Sequence, residues 1–87
     1  MKEQFIQKKI LNYLEDNGHY CLKLAKTNKN GIPDIIAIKQ NEVFFIEVKS
    51  EKGIVSELQK HRIDELKQNG IKTLVVRSLD ELKSLLK

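Results

Sequence analysis

A single cysteine, Cys21, rules out a disulfide within this chain and fits a reducing, intracellular setting. Its thiol is read as a packed strand residue rather than a reactive one. Apolar runs are short: none approaches the ~20 residues needed to span a bilayer, so no membrane segment is expected. Residues 1–15 carry charges throughout, which is unlike a secretory leader. Glycine patterns of the Rossmann or P-loop kind are missing, so a nucleotide cofactor is not expected. His19 has no second histidine close in sequence, which gives zinc little support and reads as a solvated side chain at a strand entrance. Internal repeats, low-complexity tracts and sustained heptads are also missing.

The 87 residues make one domain, spanning 1–87. A chain of this size buries only ~60–65% of the surface its unfolded form exposes, so a bound metal or a second subunit would help it. Sixteen Lys+Arg against 12 Asp+Glu give a net charge of +4, a mild lean toward polyanions and no more.

Residues 2–16 read as a helix, because Ile6, Ile10, Tyr13 and Leu14 recur at helical spacing and Asn17-Gly18 supplies a stop. Glu3 projects from the same face one turn before that stripe, either as a helix-start acid or toward a site at the mouth of the core. Residues 19–25 read as a strand, and 26–32 as a flexible basic loop that runs into Pro33-Asp34. Residues 34–38 and 43–48 read as a β-hairpin, apolar on both faces, which predicts central strands covered on both sides. Ser56-Glu57-Leu58-Gln59 has the form of a capping box opening a helix that closes at Asn69-Gly70. Leu58, Ile63 and Leu66 form its expected buried stripe, and Gln59 faces inward with it. Residues 71–77 read as a strand, Ser78 to Glu81 repeats the capping form, and a last helix carries Leu79, Leu82, Leu85 and Leu86. A strand, a helix and a further strand imply a right-handed crossover, with the last two strands parallel or nearly so. The order is α-β-β-β-α-β-α, an α/β domain.

One stretch conflicts with its surroundings. Asp34, Glu47 and Lys49 lie in the most apolar part of the chain, where charges are rare unless paired or bound to metal. If residues 39–42 form a symmetric turn, Ile38 faces Val43 and Asp34 stands opposite Glu47, with Cβ atoms ~5 Å apart. Glu47 and Lys49 alternate onto the same face, so the three converge, and a one-residue slip would separate them. A cross-strand salt bridge is the plain reading. The second carboxylate favours another: two carboxylates and the Val48 carbonyl suit Mg²⁺ or Mn²⁺. Those are the parts of metal-assisted phosphodiester hydrolysis, with Lys49 placed to orient water or neutralise phosphate.

Pro33-Asp34 followed by Glu47-Val48-Lys49 resembles the PD-(D/E)xK nuclease signature. With Glu3, Gly31-Ile32-Pro33-Asp34, Ile46-Glu47-Val48-Lys49 and Gln59, the chain resembles the VRR-NUC family, the virus-type replication-repair nucleases, from Glu3 to about Val76. The resemblance implies a restriction-endonuclease-like αβββαβ core with a short C-terminal helix and a mixed central sheet flanked by helices. It implies that Asp34, Glu47 and the Val48 carbonyl hold Mg²⁺ or Mn²⁺, that Lys49 acts on the attacking water, and that Glu3 and Gln59 support the site. It implies a stand-alone minimal form, similar to homodimeric Holliday-junction resolvases acting on branched DNA, in the cytoplasm (the host cytoplasm if the chain is viral). Flap or other DNA-repair cleavage, and a non-catalytic DNA-binding module on the same fold, are the alternatives.

Overall fold

In the computed structural model, which describes residues 2–86, Ile6, Ile10 and Leu14 form the buried stripe of helix α1, Glu3–Asp16. The helix stops where expected. Asn17 Nδ2 donates to the Tyr13 carbonyl at 2.7 Å, Gly18 takes a left-handed φ of 86°, and the His19 N–H donates to the Leu14 carbonyl at 2.9 Å. His19 is therefore tied into the end of α1, half-buried, with its ring edge-on to Phe44 at 5.7 Å, rather than solvated.

Four strands follow: β1 (Tyr20–Lys23), β2 (Ile35–Lys39), β3 (Glu42–Val48) and β4 (Lys72–Val76), in spatial order β1-β2-β3-β4. The first three are antiparallel neighbours. Helix α2 (Glu57–Gln68) connects β3 to a parallel β4, and α3 (Leu79–Leu85) follows. The hairpin has the predicted register, with opposed residue numbers adding to 81, although Lys39 pairs with Glu42 and the loop tightens to Gln40-Asn41. The tighter loop shares the centre of the expected four-residue turn, so the register is unchanged. Gln40 takes a positive φ of 56° to close it.

One sheet face carries Ile35, Ala37, Phe44, Ile46, Val48 and Val76, all buried with Ile6, Ile10 and Leu14 of α1 and Leu82 of α3. Each Val, Leu, Ile or Phe side chain among them contributes about 1.5–3 kcal/mol of burial, which makes this layer the domain's main source of stability. Cys21 packs half-buried against it. The opposite face differs from expectation. The hairpin strands are central, but Ile36, Ile38 and Phe45 are only half-buried, and Tyr20, Leu22 and Val43 are exposed. The cause is width. A helix about 10–12 Å across covers about two strands spaced ~4.8 Å apart. Two helices cover the first face, whereas α2 alone lies over the second and packs against β4.

Two details of the helix starts also differ. Leu58 is exposed rather than buried in the α2 stripe, while Ile63 is buried and Leu66 half-buried. Leu58 instead lies over Gly31, whose left-handed φ of 82° and missing side chain make room: a Cβ there would stand 2.8 Å from Leu58 Cγ. Ser78 caps α3 by accepting the Glu81 N–H at 3.1 Å, but the Glu81 carboxylate turns to the Arg77 N–H at 2.6 Å, leaving that capping box half-made.

Candidate active site

Asp34 sits one residue before β2, behind the buried Pro33, which has no N–H to offer a ladder. The β2–β3 pairing ends at Ile35 and Ile46, so Asp34 occupies the position opposite Glu47 without forming a rung. Its side chain completes the pairing: Oδ2 accepts the Val48 N–H at 2.9 Å. On the β1 side its carbonyl accepts the Leu24 N–H at 2.7 Å. The residue is thus held on both sides, its carboxylate by β3 and its backbone by the Leu24 N–H. The Val48 side chain points away into the main core, as the alternation requires.

Glu47 is 2% exposed. Its Oε2 accepts from Gln59 Nε2 at 3.3 Å and lies 3.9 Å from Lys49 Nζ. Its Oε1 has no hydrogen-bond partner. Burial, then the charge of Asp34, pushes the Glu47 carboxyl from its ordinary 4.5 up to about 8; Lys49 opposes this and Glu3 adds a smaller push. A proton shared with Asp34 also favours the neutral form. Two ionised carboxylates are both acceptors, so the pair bonds only once one of them is protonated.

Gln59 shows how local folding aims a side chain. The Ser56 Oγ accepts the Gln59 N–H at 3.1 Å, and Gln59 Oε1 accepts the Ser56 N–H at 2.9 Å, a complete capping box. With its oxygen held by that N–H, the amide nitrogen faces Glu47. One residue starts the helix and holds a carboxylate.

Glu3, half-buried in the first turn of α1, reaches the site's field from the other side of the sheet. Its Oε2 lies against Gly53: a Cβ on that glycine would be 3.1 Å away. Gly53 reads in the sequence only as the end of a charged turn, and its role in admitting Glu3 has no local signature. Among the described residues no three His, Cys, Asp or Glu side chains come together as an ion site, so Glu3 stands back from the Asp34–Glu47 pair. The pair itself fits a hard divalent cation. A buried, unpartnered oxygen and a carboxyl pushed toward neutrality by burial and by Asp34 are what such an ion would relieve.

The fold, with Asp34, Glu47 and Lys49 at these positions, resembles that of the PD-(D/E)xK nuclease class. The family model for the VRR-NUC domain matches residues 2–80. A solved VRR-NUC domain superposes with a TM-score of 0.88 at 26% identity, covering 99% of this chain and 95% of its own. Another structure, a VRR-NUC domain protein, gives 0.81 at 22% identity over 99% of this chain and 85% of its own, and speaks to the fold alone. A crossover junction endodeoxyribonuclease of Sulfolobus islandicus rod-shaped virus 1 is 35% identical over 65 residues, 72% of this chain and 54% of the viral protein. The chain therefore spans about half the length of that curated relative. The chain belongs to the VRR-NUC family.

Proposed function

We propose that this domain is a metal-dependent, structure-selective DNA endonuclease, a hydrolase of phosphodiester bonds that cuts branched DNA such as four-way junctions as a homodimer. The observation that carries the reading is Glu47: a buried carboxylate opposite Asp34, with one oxygen unpartnered and a lysine beside the other. A purely structural ion pair would satisfy its oxygens; this one leaves Oε1 buried without a partner.

Asp34, Glu47 and the Val48 carbonyl would hold Mg²⁺ or Mn²⁺. When bound, such an ion supplies Lewis-acid charge to a phosphate and makes a bound water more acidic. The chain's own groups do the placing. The Val48 N–H fixes the Asp34 carboxylate, and Gln59 fixes Oε2 of Glu47. Lys49, with a side chain 12% exposed, presents its ammonium where charge grows on a phosphate and where an attacking water would be oriented. Glu3 adds negative charge from α1, supporting water or metal without touching the pair.

Two further features support the substrate and the assembly. The 26–32 loop that leads to Asp34 exposes Lys26 and Lys29, and it is pinned rather than loose. Arg62 Nε donates to the Asn30 carbonyl at 2.8 Å, and Leu58 closes over Gly31. Exposed lysines on the loop that leads to Asp34 suit a phosphate backbone. The bare sheet face of Tyr20, Leu22 and Val43, with half-buried Ile36, Ile38 and Phe45, carries no charged residue among these six and suits a symmetric contact with a second copy. The named viral relative acts on crossover junctions, and a junction needs two symmetric cuts. The lone Cys21 is consistent with a cytoplasmic location.

The test is cleavage of labelled four-way junctions, flaps, duplex and single strands with Mg²⁺ or Mn²⁺, beside sedimentation for subunit number. The expected result is preferential cutting of branched DNA by a dimer. Binding without cleavage on every substrate overturns the catalytic reading in favour of a DNA-binding module, and preferential flap cutting overturns the junction assignment.

A further inference from the structure

Arg77 immediately follows β4, and its guanidinium is spent on carbonyls: among the described residues it makes no ion pair. Nη1 donates to the Ser50 carbonyl at 2.7 Å and the Gly53 carbonyl at 2.6 Å, with the Glu51 carbonyl at 3.4 Å. All three belong to the turn that leaves Lys49. The turn also closes on itself, the Gly53 N–H donating to the Ser50 carbonyl at 3.1 Å. Val76, one residue before Arg77, accepts the Lys49 N–H at 3.0 Å. Arg77 is itself held by its own N–H, which donates to Glu81 Oε1 at 2.6 Å.

The turn is the surface against which Glu3 rests. A Cβ on Gly53 would lie 3.1 Å from Glu3 Oε2 and 3.1 Å from Ser50 Oγ, so the carboxylate is seated on the segment that Arg77 grips. Three carbonyls of one turn converging on a cation explain why the turn holds this shape: carbonyl dipoles aimed at one point repel unless a positive group sits there. We infer that Arg77 is a positioning residue for the proposed nuclease site, acting through the Ser50–Gly53 turn to seat Glu3. This rests on the reading of the site as a nuclease.

The experiment compares single-turnover cleavage at saturating DNA, DNA affinity and amide exchange in wild type, Arg77→Gln, Arg77→Lys and Gly53→Ala. Arg77→Gln is expected to slow cleavage on the order of 10- to 100-fold, the usual consequence of misplacing a group by about an ångström. Arg77→Lys, which keeps the charge but ends one bond short of the Nη1 position that all three carbonyls share, should lose nearly as much, with DNA affinity within about threefold of wild type. Gly53→Ala should slow cleavage similarly by crowding Glu3 while leaving Arg77 intact, which covers the case in which the arginine variants do not fold. In a Glu3→Gln background, Arg77→Gln should cost less than about threefold more, because the two act in series. Full rescue by Arg77→Lys, multiplicative losses in the double variant, or a lowered melting temperature with the cleavage rate unchanged would each overturn the inference. If wild type cleaves nothing, the nuclease reading fails separately. The clamp is then read by the Gly53 amide, which should exchange faster in Arg77→Gln while β3 and β4 amides are unchanged; unchanged Gly53 protection refutes it.

Discussion

Glu47→Gln keeps the shape of the side chain and removes the charge, so it isolates what the buried carboxylate costs the metal-free protein. The folded Glu47 carboxyl titrates at about 8 against an ordinary 4.5, driven first by burial and then by Asp34. The folded state therefore holds the proton more tightly than the unfolded one. This contribution to stability is fully present below about 4.5 and is lost as pH rises toward about 8. The slope across that window approaches about 1.4 kcal/mol per pH unit. The substituted amide has nothing to ionise, keeps an oxygen for Gln59 Nε2, and offers an N–H₂ to Asp34. In EDTA, the variant should match wild type near pH 4.5 and exceed it by a few kcal/mol near pH 8, on the order of 10 °C in melting temperature for a domain of this size. Divalent metal should narrow that gap. An ion at ~100 times its Kd adds about 2.7 kcal/mol to wild type near pH 8, and little to Glu47→Gln. Thermal melts at the two pH values, with EDTA and with Mn²⁺, read all four quantities. An EDTA-treated variant less stable than wild type at pH 8, or an equal Mn²⁺ gain in both proteins, would refute the reasoning.

Two further perturbations test the scaffold. Leu22→Glu places a charge on the bare sheet face at a position 45% exposed, so the monomer should fold while sedimentation shows the dimer lost; an unchanged sedimentation coefficient would remove this face as the contact. Ser56→Ala removes the cap of α2 and one of the two bonds that hold Gln59, and should cost about 1 kcal/mol in denaturant unfolding together with slower cleavage; full activity would show that Gln59 needs no such support.

The site is legible in the sequence because its geometry is local. Asp34 and Glu47 are joined by one short hairpin, and a symmetric turn leaves a single register whether two or four residues form the loop. Gln59 and Glu3 are legible from helical spacing against neighbouring apolar residues. Side-chain periodicity says which residues share a face, however, and not what covers it. Leu58 is therefore expected in a core and found over Gly31, and the Ile36, Ile38 and Phe45 face is expected to be covered where α2 does not reach. The Asp34 carboxylate takes the Val48 N–H where the β2–β3 ladder ends, a detail that alternation alone passes over. Arg77 reaches carbonyls 24 to 27 positions earlier in the chain, and no spacing rule connects it to them.

The central claim is that Asp34, Glu47 and Lys49 form one hydrolytic centre. It is tested most directly by single-turnover cleavage of a labelled four-way junction with Mg²⁺ or Mn²⁺, comparing wild type with Asp34→Ala, Glu47→Ala and Lys49→Ala while junction binding is measured in parallel. The account predicts metal-dependent cutting by wild type and loss of cleavage in all three variants, each still folded and still bound to DNA. Cleavage that survives in any of the three at the wild-type rate would contradict it.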